Sequence, residues 1–310
     1  FAFRLLFHSA FRLLVIRNCF CIFANSIRTS TSNQKQNDYR QTVKSSDKIN
    51  SFALVTGASS GIGLQYATQL ARDYRYNLLL VSNEREKLEQ IAENLSQTYN
   101  VKAIPYYKDL SELTAAEEVY DFAKENDMEV EVLVNNAGML IFYPLCNTPT
   151  KKIETLLMLH VVTMTKLCQL FGADMCARRR GYVLNMSSMS AWMTMPGIQC
   201  YNASKSYVLN FSKSLWYEFK PQGVRVIAIT PGAINTPFFN LSDKFRKLLL
   251  TFRISMQPEV LVRKALKKLF HSNKKTYLPG AWNYIIVPII SHLPNWLVFA
   301  VMKKLKQFRN

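Results

Sequence analysis

Phe52-Ala53-Leu54-Val55-Thr56-Gly57-Ala58-Ser59-Ser60-Gly61-Ile62-Gly63 runs from four apolar residues into a turn with glycines at 57, 61 and 63. Phe52 to Val55 suit a parallel strand buried on both faces. A glycine-rich turn straight after such a strand lets the backbone come close to a pyrophosphate. The helix opening behind it, expected over 61–73, points its N-terminal N–H groups at the same anion. The spacing is G-x-x-x-G-x-G, not the commoner G-x-G-x-x-G fingerprint. Such a turn is a weak signal alone and gains weight from its place between strand and helix.

Outward from this turn, apolar runs and helical patterns alternate. Leu78 to Val81 reads as a second strand, followed by a helix over 84–98. A strand from Val101 to Tyr106 and a helix over 111–126 come next, then a strand from Val130 to Val134. A long helical stretch covers about 150–178, a strand 181–187 and a helix 200–219. Val224 to Ile229 form a further strand. Alternation at roughly 25 to 30 residues predicts an α/β fold with a doubly wound parallel sheet, a Rossmann fold. The strand ends carry polar or small residues: Asp109-Leu110, Asn135-Asn136-Ala137-Gly138, Ser188, and Pro231-Gly232-Ala233-Ile234-Asn235-Thr236. Ligands bind such sheets at the carboxyl ends of the strands. After the second strand stand Ser82-Asn83-Glu84-Arg85. A carboxylate at this place favours NAD and a basic residue accommodates a 2′-phosphate. Ser82 and Asn83 are neither, and Arg85, slightly late, tips the expectation towards NADP(H).

Asn185-Met186-Ser187-Ser188 and Tyr201-Asn202-Ala203-Ser204-Lys205 carry the chemistry. Tyr201 and Lys205 are four apart and share a helix face. Ser188 ends the preceding strand. A free phenol titrates near ~10, and an adjacent ammonium favours its ionisation. A tuned tyrosine can give a proton to a carbonyl oxygen or take one from an alcohol. A serine hydroxyl can hydrogen-bond that same oxygen as charge develops on it.

The chain has 310 residues, 49% hydrophobic, and a formal net charge of +18. Residues 1–50 hold 8 Lys/Arg against 2 Asp/Glu, residues 51–240 hold 17 of each, and residues 241–310 hold 14 against 2. A neutral body with basic, aromatic-bearing ends suits an anionic lipid surface better than nucleic acid. No nucleic-acid-binding motif is present, so no such partner is expected. The six cysteines show no metal or disulfide spacing. They are read as reduced thiols packed in a cytoplasmic protein, with no metal.

Residues 1–50 form a basic extension read as separate from the fold. Its apolar start, broken by Arg4, Arg12 and Arg17, resembles an interfacial helix or a transit peptide, or is upstream sequence without a structural role. Residues 51–280 form the catalytic domain. Residues 281–310 are an amphipathic basic tail, where Pro288 and Pro294 break the apolar run so that no spanning helix is expected. The tail is read as a peripheral membrane contact, a cap on the pocket or a subunit contact.

TGASSGIG at 56–63, Asp109, NNAG at 135–138, Ser188, YNASK at 201–205 and PGAINT at 231–236 together resemble the short-chain dehydrogenase/reductase family, over about residues 51–280. The resemblance implies an NADP(H)- or NAD(H)-dependent oxidoreductase working as a homodimer or homotetramer. Gly57, Ser59, Ser60, Gly61, Ile62 and Gly63 would line the dinucleotide phosphates and adenosine ribose. Asn83 and Arg85 would lie at that ribose, and Asp109 and Leu110 at the adenine. Asn136, Ala137 and Gly138 would flank the cofactor, and Pro231, Gly232, Ile234 and Thr236 would meet the nicotinamide end. Tyr201 would be the acid/base, Lys205 would hold the nicotinamide ribose and lower the Tyr201 pKa, and Ser188 would orient the carbonyl. His160 stands where the family carries an asparagine in a proton relay. It is either an altered relay member or a packed helix histidine. Phe238, Phe239, Leu241 and Phe252 make the substrate loop, 237–257, apolar. With Trp192, Met189, Met193 and Met195 they would wall a pocket for an apolar ketone, a 3-oxoacyl or a sterol-like substrate. The alternative class of function is a cofactor-binding sensor or scaffold of the same fold with little or no turnover.

Overall fold

A computed structural model describes residues 51–234, 255–280 and 283–304. Thr236, the substrate loop's aromatic residues and Trp282 lie outside the described residues.

Seven parallel strands make one sheet in the order β3-β2-β1-β4-β5-β6-β9. They are β1 (Ser51–Thr56), β2 (Asn77–Ser82), β3 (Ala103–Tyr107), β4 (Glu129–Asn135), β5 (Gly181–Met186), β6 (Val224–Ile229) and β9 (Thr276–Tyr277). The order reverses direction between β1 and β4, which opens a crevice above their carboxyl ends. Every residue of β1 is buried, as its apolar run requires for a strand covered on both faces. The short pair β7 (Ala233–Ile234) and β8 (Ser255–Met256) stands apart from the main sheet.

Helices cover both faces. On one side α1 (Gly61–Tyr74), α2 (Arg85–Tyr99) and α6 (Pro258–His271) enclose a core built on Val55, Leu70, Leu80, Val134 and Leu266. On the other, α3 (Ala115–Glu125), α4 (Thr150–Ala177) and α5 (Gln199–Phe219) enclose Leu54, Val119, Leu133, Phe171 and Val226. Arg75 and Asn100 end α1 and α2 in the left-handed region, where their N–H groups return to the last-turn carbonyls.

The expected strands and helices are present, with shifted bounds. The helix expected over 111–126 starts only at Ala115, because Asp109 bonds back to the Ser111 N–H and hydroxyl and holds an irregular turn. The two-residue β9 offers too short an apolar run to stand out in the sequence. Pro288 does not break the tail helix: α7 (Asn283–Ser291) carries it inside, and α8 (Asn295–Lys304) follows Pro294. Among the described residues only α4 is long and apolar enough to cross a membrane, and it packs against the sheet. Cys168 is buried as expected, whereas Cys146 is exposed.

Within α4 six residues, Met158–Thr163, form a π-type turn. The wider turn shifts the side chains after it around the axis. His160 lies in this segment, almost wholly buried at 2% exposure.

Candidate active site

The β1–α1 turn is shaped by two glycines. Gly57 sits at φ +64, a left-handed conformation that strains other residues. A Cβ on Gly63 would lie 2.0 Å from the Gly57 carbonyl oxygen, so the first turn of α1 rests directly on the glycine turn. Thr56 ties the turn to the neighbouring strand end. Its hydroxyl donates to the Val134 carbonyl and accepts the Asn136 and Ala137 N–H groups at 2.9 and 3.0 Å. The Asn136 amide donates to the carbonyls of Thr56 and Gly57 at 3.0 and 3.3 Å.

These contacts frame a cleft of about 710 Å³ at the carboxyl edge of the sheet. Gly57, Ser59, Ser60, Gly61 and Ile62 line one end with Asn83, Asp109 and Leu110. Asn136, Ala137, Gly138, Ser188, Tyr201, Lys205, Pro231, Gly232 and Ile234 line the other. Of the described residues predicted to bind cofactor or act in catalysis, three are not in the lining. Gly63 lies beneath the turn, Arg85 lies over the Tyr107 ring at 4.3 Å, and His160 is packed behind the cleft wall. A glycine turn too close for a Cβ, beside the amino end of a helix and above parallel strands, fits a dinucleotide's phosphates.

Ser188, Tyr201 and Lys205 meet as the spacing predicts. The Ser188 hydroxyl oxygen accepts the Ser190 N–H at 3.1 Å, and the hydroxyl hydrogen-bonds the Tyr201 phenol. Lys205 donates to the Met186 carbonyl at 2.9 Å, with its Nζ 5.7 Å from the Tyr201 ring centre. The electrostatics differ from expectation. Burial pushes the Tyr201 phenol up to about 12, opposed only by the Ser188 hydrogen bond. Burial also lowers Lys205 to about 8. With its ammonium turned to the Met186 carbonyl, the lysine does not offset desolvation of the phenol.

His160 has both ring nitrogens engaged. Nε2 accepts the Met139 N–H at 2.9 Å, so the proton is on Nδ1, which lies 2.9 Å from the Ser204 hydroxyl oxygen. The Ser204 hydroxyl donates in turn to the Tyr201 carbonyl at 2.8 Å. Burial first, and the Lys205 charge second, keep the imidazole neutral, well below its usual range.

Several residues within the quoted motifs take structural parts that the sequence did not assign. Asn135 donates to Asn185 at 2.9 Å, and Asn185 to Ser212 at 2.9 Å, which clamps β4, β5 and α5 through buried amides. Ser187 bonds the Lys205 carbonyl at 2.7 Å. Met139, Thr155 and Leu159 line the cleft, while Met189, Trp192, Met193 and Met195 do not. Met189 instead places its sulfur beside Gly232, and α7 packs against the Met189–Trp192 turn. The polar strand ends in the sequence hint at Asn135 and Asn185; Ser204 stands within YNASK without an assigned role, and nothing in the sequence singles out Thr155.

The model of the short chain dehydrogenases matches residues 51–247. Hydroxysteroid dehydrogenase-like protein 1 of Gallus gallus is 31% identical over 251 residues, spanning 79% of this chain and 73% of that protein. The very-long-chain 3-oxoacyl-CoA reductase of Homo sapiens is 29% identical over 266 residues, 84% of this chain and 80% of that one. A solved short-chain dehydrogenase from Sphingobium yanoikuyae, in complex with NADPH, aligns with a TM-score of 0.67 at 25% identity, over 84% of this chain and 98% of that chain. The matched stretch includes the segments that build the cleft, and the chain belongs to the short chain dehydrogenase family, NAD(P)(H)-dependent oxidoreductases that exchange a hydride with a carbonyl or alcohol.

Proposed function

We propose that the protein reduces an apolar ketone or 3-oxoacyl compound, with Tyr201 as the proton donor. The observation carrying this reading is the meeting of Ser188, Tyr201 and Lys205 in the cleft that also holds the glycine turn. The hydride is the chemistry of the nicotinamide cofactor; this chain's residues supply the proton and orient the substrate. Held near 12, the Tyr201 phenol is protonated at neutral pH and ready to donate to a carbonyl oxygen. The Ser188 hydroxyl is a second donor for that oxygen, and the charge building there makes its hydrogen bond stronger. As the phenolate forms, the Lys205 ammonium on the next turn of α5, 5.7 Å from the ring centre, would stabilise it by turning from the Met186 carbonyl towards it. Gly57, Ser59, Ser60, Gly61 and Ile62 would hold the cofactor's phosphates and ribose, Asp109 and Leu110 its adenine, and Asn136 to Gly138 with Pro231, Gly232 and Ile234 its nicotinamide end. His160 is a positioning residue, joining the Met139 loop to the second turn of α5.

Met139, Leu159 and Leu110 give the cleft an apolar wall, and the hydroxysteroid and 3-oxoacyl-CoA relatives support an apolar substrate. The test follows loss of reduced-cofactor absorbance, with NADH and NADPH separately, over a panel of steroid ketones and 3-oxoacyl thioesters. Turnover that falls ~10²- to 10⁴-fold in Tyr201→Phe is the expected result. Unchanged turnover in that variant would remove Tyr201 from the mechanism.

The tail contact is read as a membrane surface. Tyr284, Ile285, Ile289, Trp296 and Phe299 of α7 and α8 stand exposed, and aromatics beside basic residues favour the lipid interface. Pairing of copies through α4 and α5 is supported by exposed Leu157, Tyr207 and Tyr217, and light scattering would give the mass.

A further inference from the structure

We infer that Glu84 is the residue that selects the dinucleotide, and that it selects the one whose adenosine ribose carries a free 2′-hydroxyl. This rests on the cofactor assignment proposed above and runs against the expectation drawn from Arg85.

Glu84 lies two residues beyond the end of β2, yet its carboxylate bends back over the glycine turn and lines the cleft. One oxygen accepts the Ser59 hydroxyl at 2.6 Å, and Ser59 in turn accepts the Ser82 hydroxyl at 2.8 Å. Ser82 also receives the Glu84 N–H at 3.2 Å, and both serines are buried. Lys87 donates to the other carboxylate oxygen. The carboxylate is therefore a fixed part of the wall between the β1 turn and the β2 end. In nucleotide-binding sheets of this type the adenosine ribose lies at that place.

The cations nearby are all engaged. Lys108 donates to Glu112 and to Glu118, each at 2.6 Å. Arg85 lies over the Tyr107 ring, 3.8 Å from Glu89, and is outside the cleft lining. Lys87 holds Glu84 itself. A 2′-hydroxyl can donate to the Glu84 carboxylate. A 2′-phosphate there brings like charge against it and finds no uncommitted cation among the described lining residues.

The test titrates the full chain with NADH and with NADPH, following quenching of protein fluorescence, so that binding is read without turnover. The wild-type protein should bind NADH at least about tenfold more tightly, and Glu84→Gln, which keeps the side-chain shape, should narrow the ratio to within about threefold. Glu84→Arg should reverse the preference. Wild-type protein that binds NADPH equally or better overturns the inference, as does a ratio unmoved by Glu84→Gln. Failure to bind either dinucleotide would defeat the cofactor assignment itself, and this inference with it.

Discussion

Lys205 is enclosed by protein and its amine is lowered from 10.5 to about 8 by desolvation alone. Below pH 8 the amine is charged in both folded and unfolded chains, and the cost of burying it is fully present. Between pH 8 and 10.5 only the unfolded chain keeps the proton, so stability rises with pH across that window. Lys205→Met should therefore be more stable than wild type at pH 7, by up to ~3 kcal/mol, while losing activity. The gain should shrink between pH 8 and 10.5, which urea melts at several pH values would show. Activity should follow the same group: carbonyl reduction should decline as pH rises through about 8, where the ammonium that stabilises the phenolate is lost. His160 makes a different prediction. His160→Leu removes the partner of the half-buried Met139 N–H and of the buried Ser204 hydroxyl, and should cost ~1–3 kcal/mol. His160→Gln can restore one such contact and should recover stability in part. If the imidazole positions Tyr201, kcat in His160→Gln should still fall ~10- to 100-fold with KM for the carbonyl substrate little changed. Equal losses in both would make His160 a packing residue only. The sequence shows the histidine, but its two nitrogen partners come from a loop and from α5, 21 and 44 residues away.

At the scale of elements, the β1–α1 unit is the part most readable from sequence, because each of its requirements is local. An apolar strand, a left-handed glycine and a helix start follow one another in thirteen residues, 51–63. Gly63→Ala tests the contact between helix and turn. Its methyl group must displace the Gly57 carbonyl, which should cost ~1–3 kcal/mol and weaken binding of both dinucleotides alike. Thermal unfolding with and without cofactor separates the two effects. In α4 the π-type turn had no such local sign. Residues 150–178 carry an uninterrupted helical pattern, and the extra residue in the turn is stabilised by what it reaches. Thr163 bonds the Leu110 carbonyl at 2.8 Å and His160 bonds Met139 and Ser204. Pro288 illustrates the converse: the rule that proline breaks helices would end α7 early, yet the helix runs to Ser291.

Among the described residues of the whole molecule, a group of basic and exposed apolar side chains lies towards the C-terminal end. α6 presents Arg263, Lys264 and Lys267 to solvent, and α7 and α8 expose Ile289, Trp296 and Phe299. The full chain should co-sediment with vesicles rich in phosphatidylserine. The bound fraction should fall at high salt and in Trp296→Ser with Phe299→Ser, and no binding to any vesicle would discard the membrane contact. The order of the motifs along the chain was sufficient for the doubly wound sheet and for placing Ser188, Tyr201 and Lys205 at one edge, because strand direction and helix period are properties of short segments. The tertiary structure decided what the site is electrically. Burial raises Tyr201 and lowers Lys205, Arg85 turns away onto Tyr107, and Glu84 is drawn onto Ser59. Desolvation and hydrogen bonding depend on neighbours distant in the chain, so no local pattern of residues could have disclosed them.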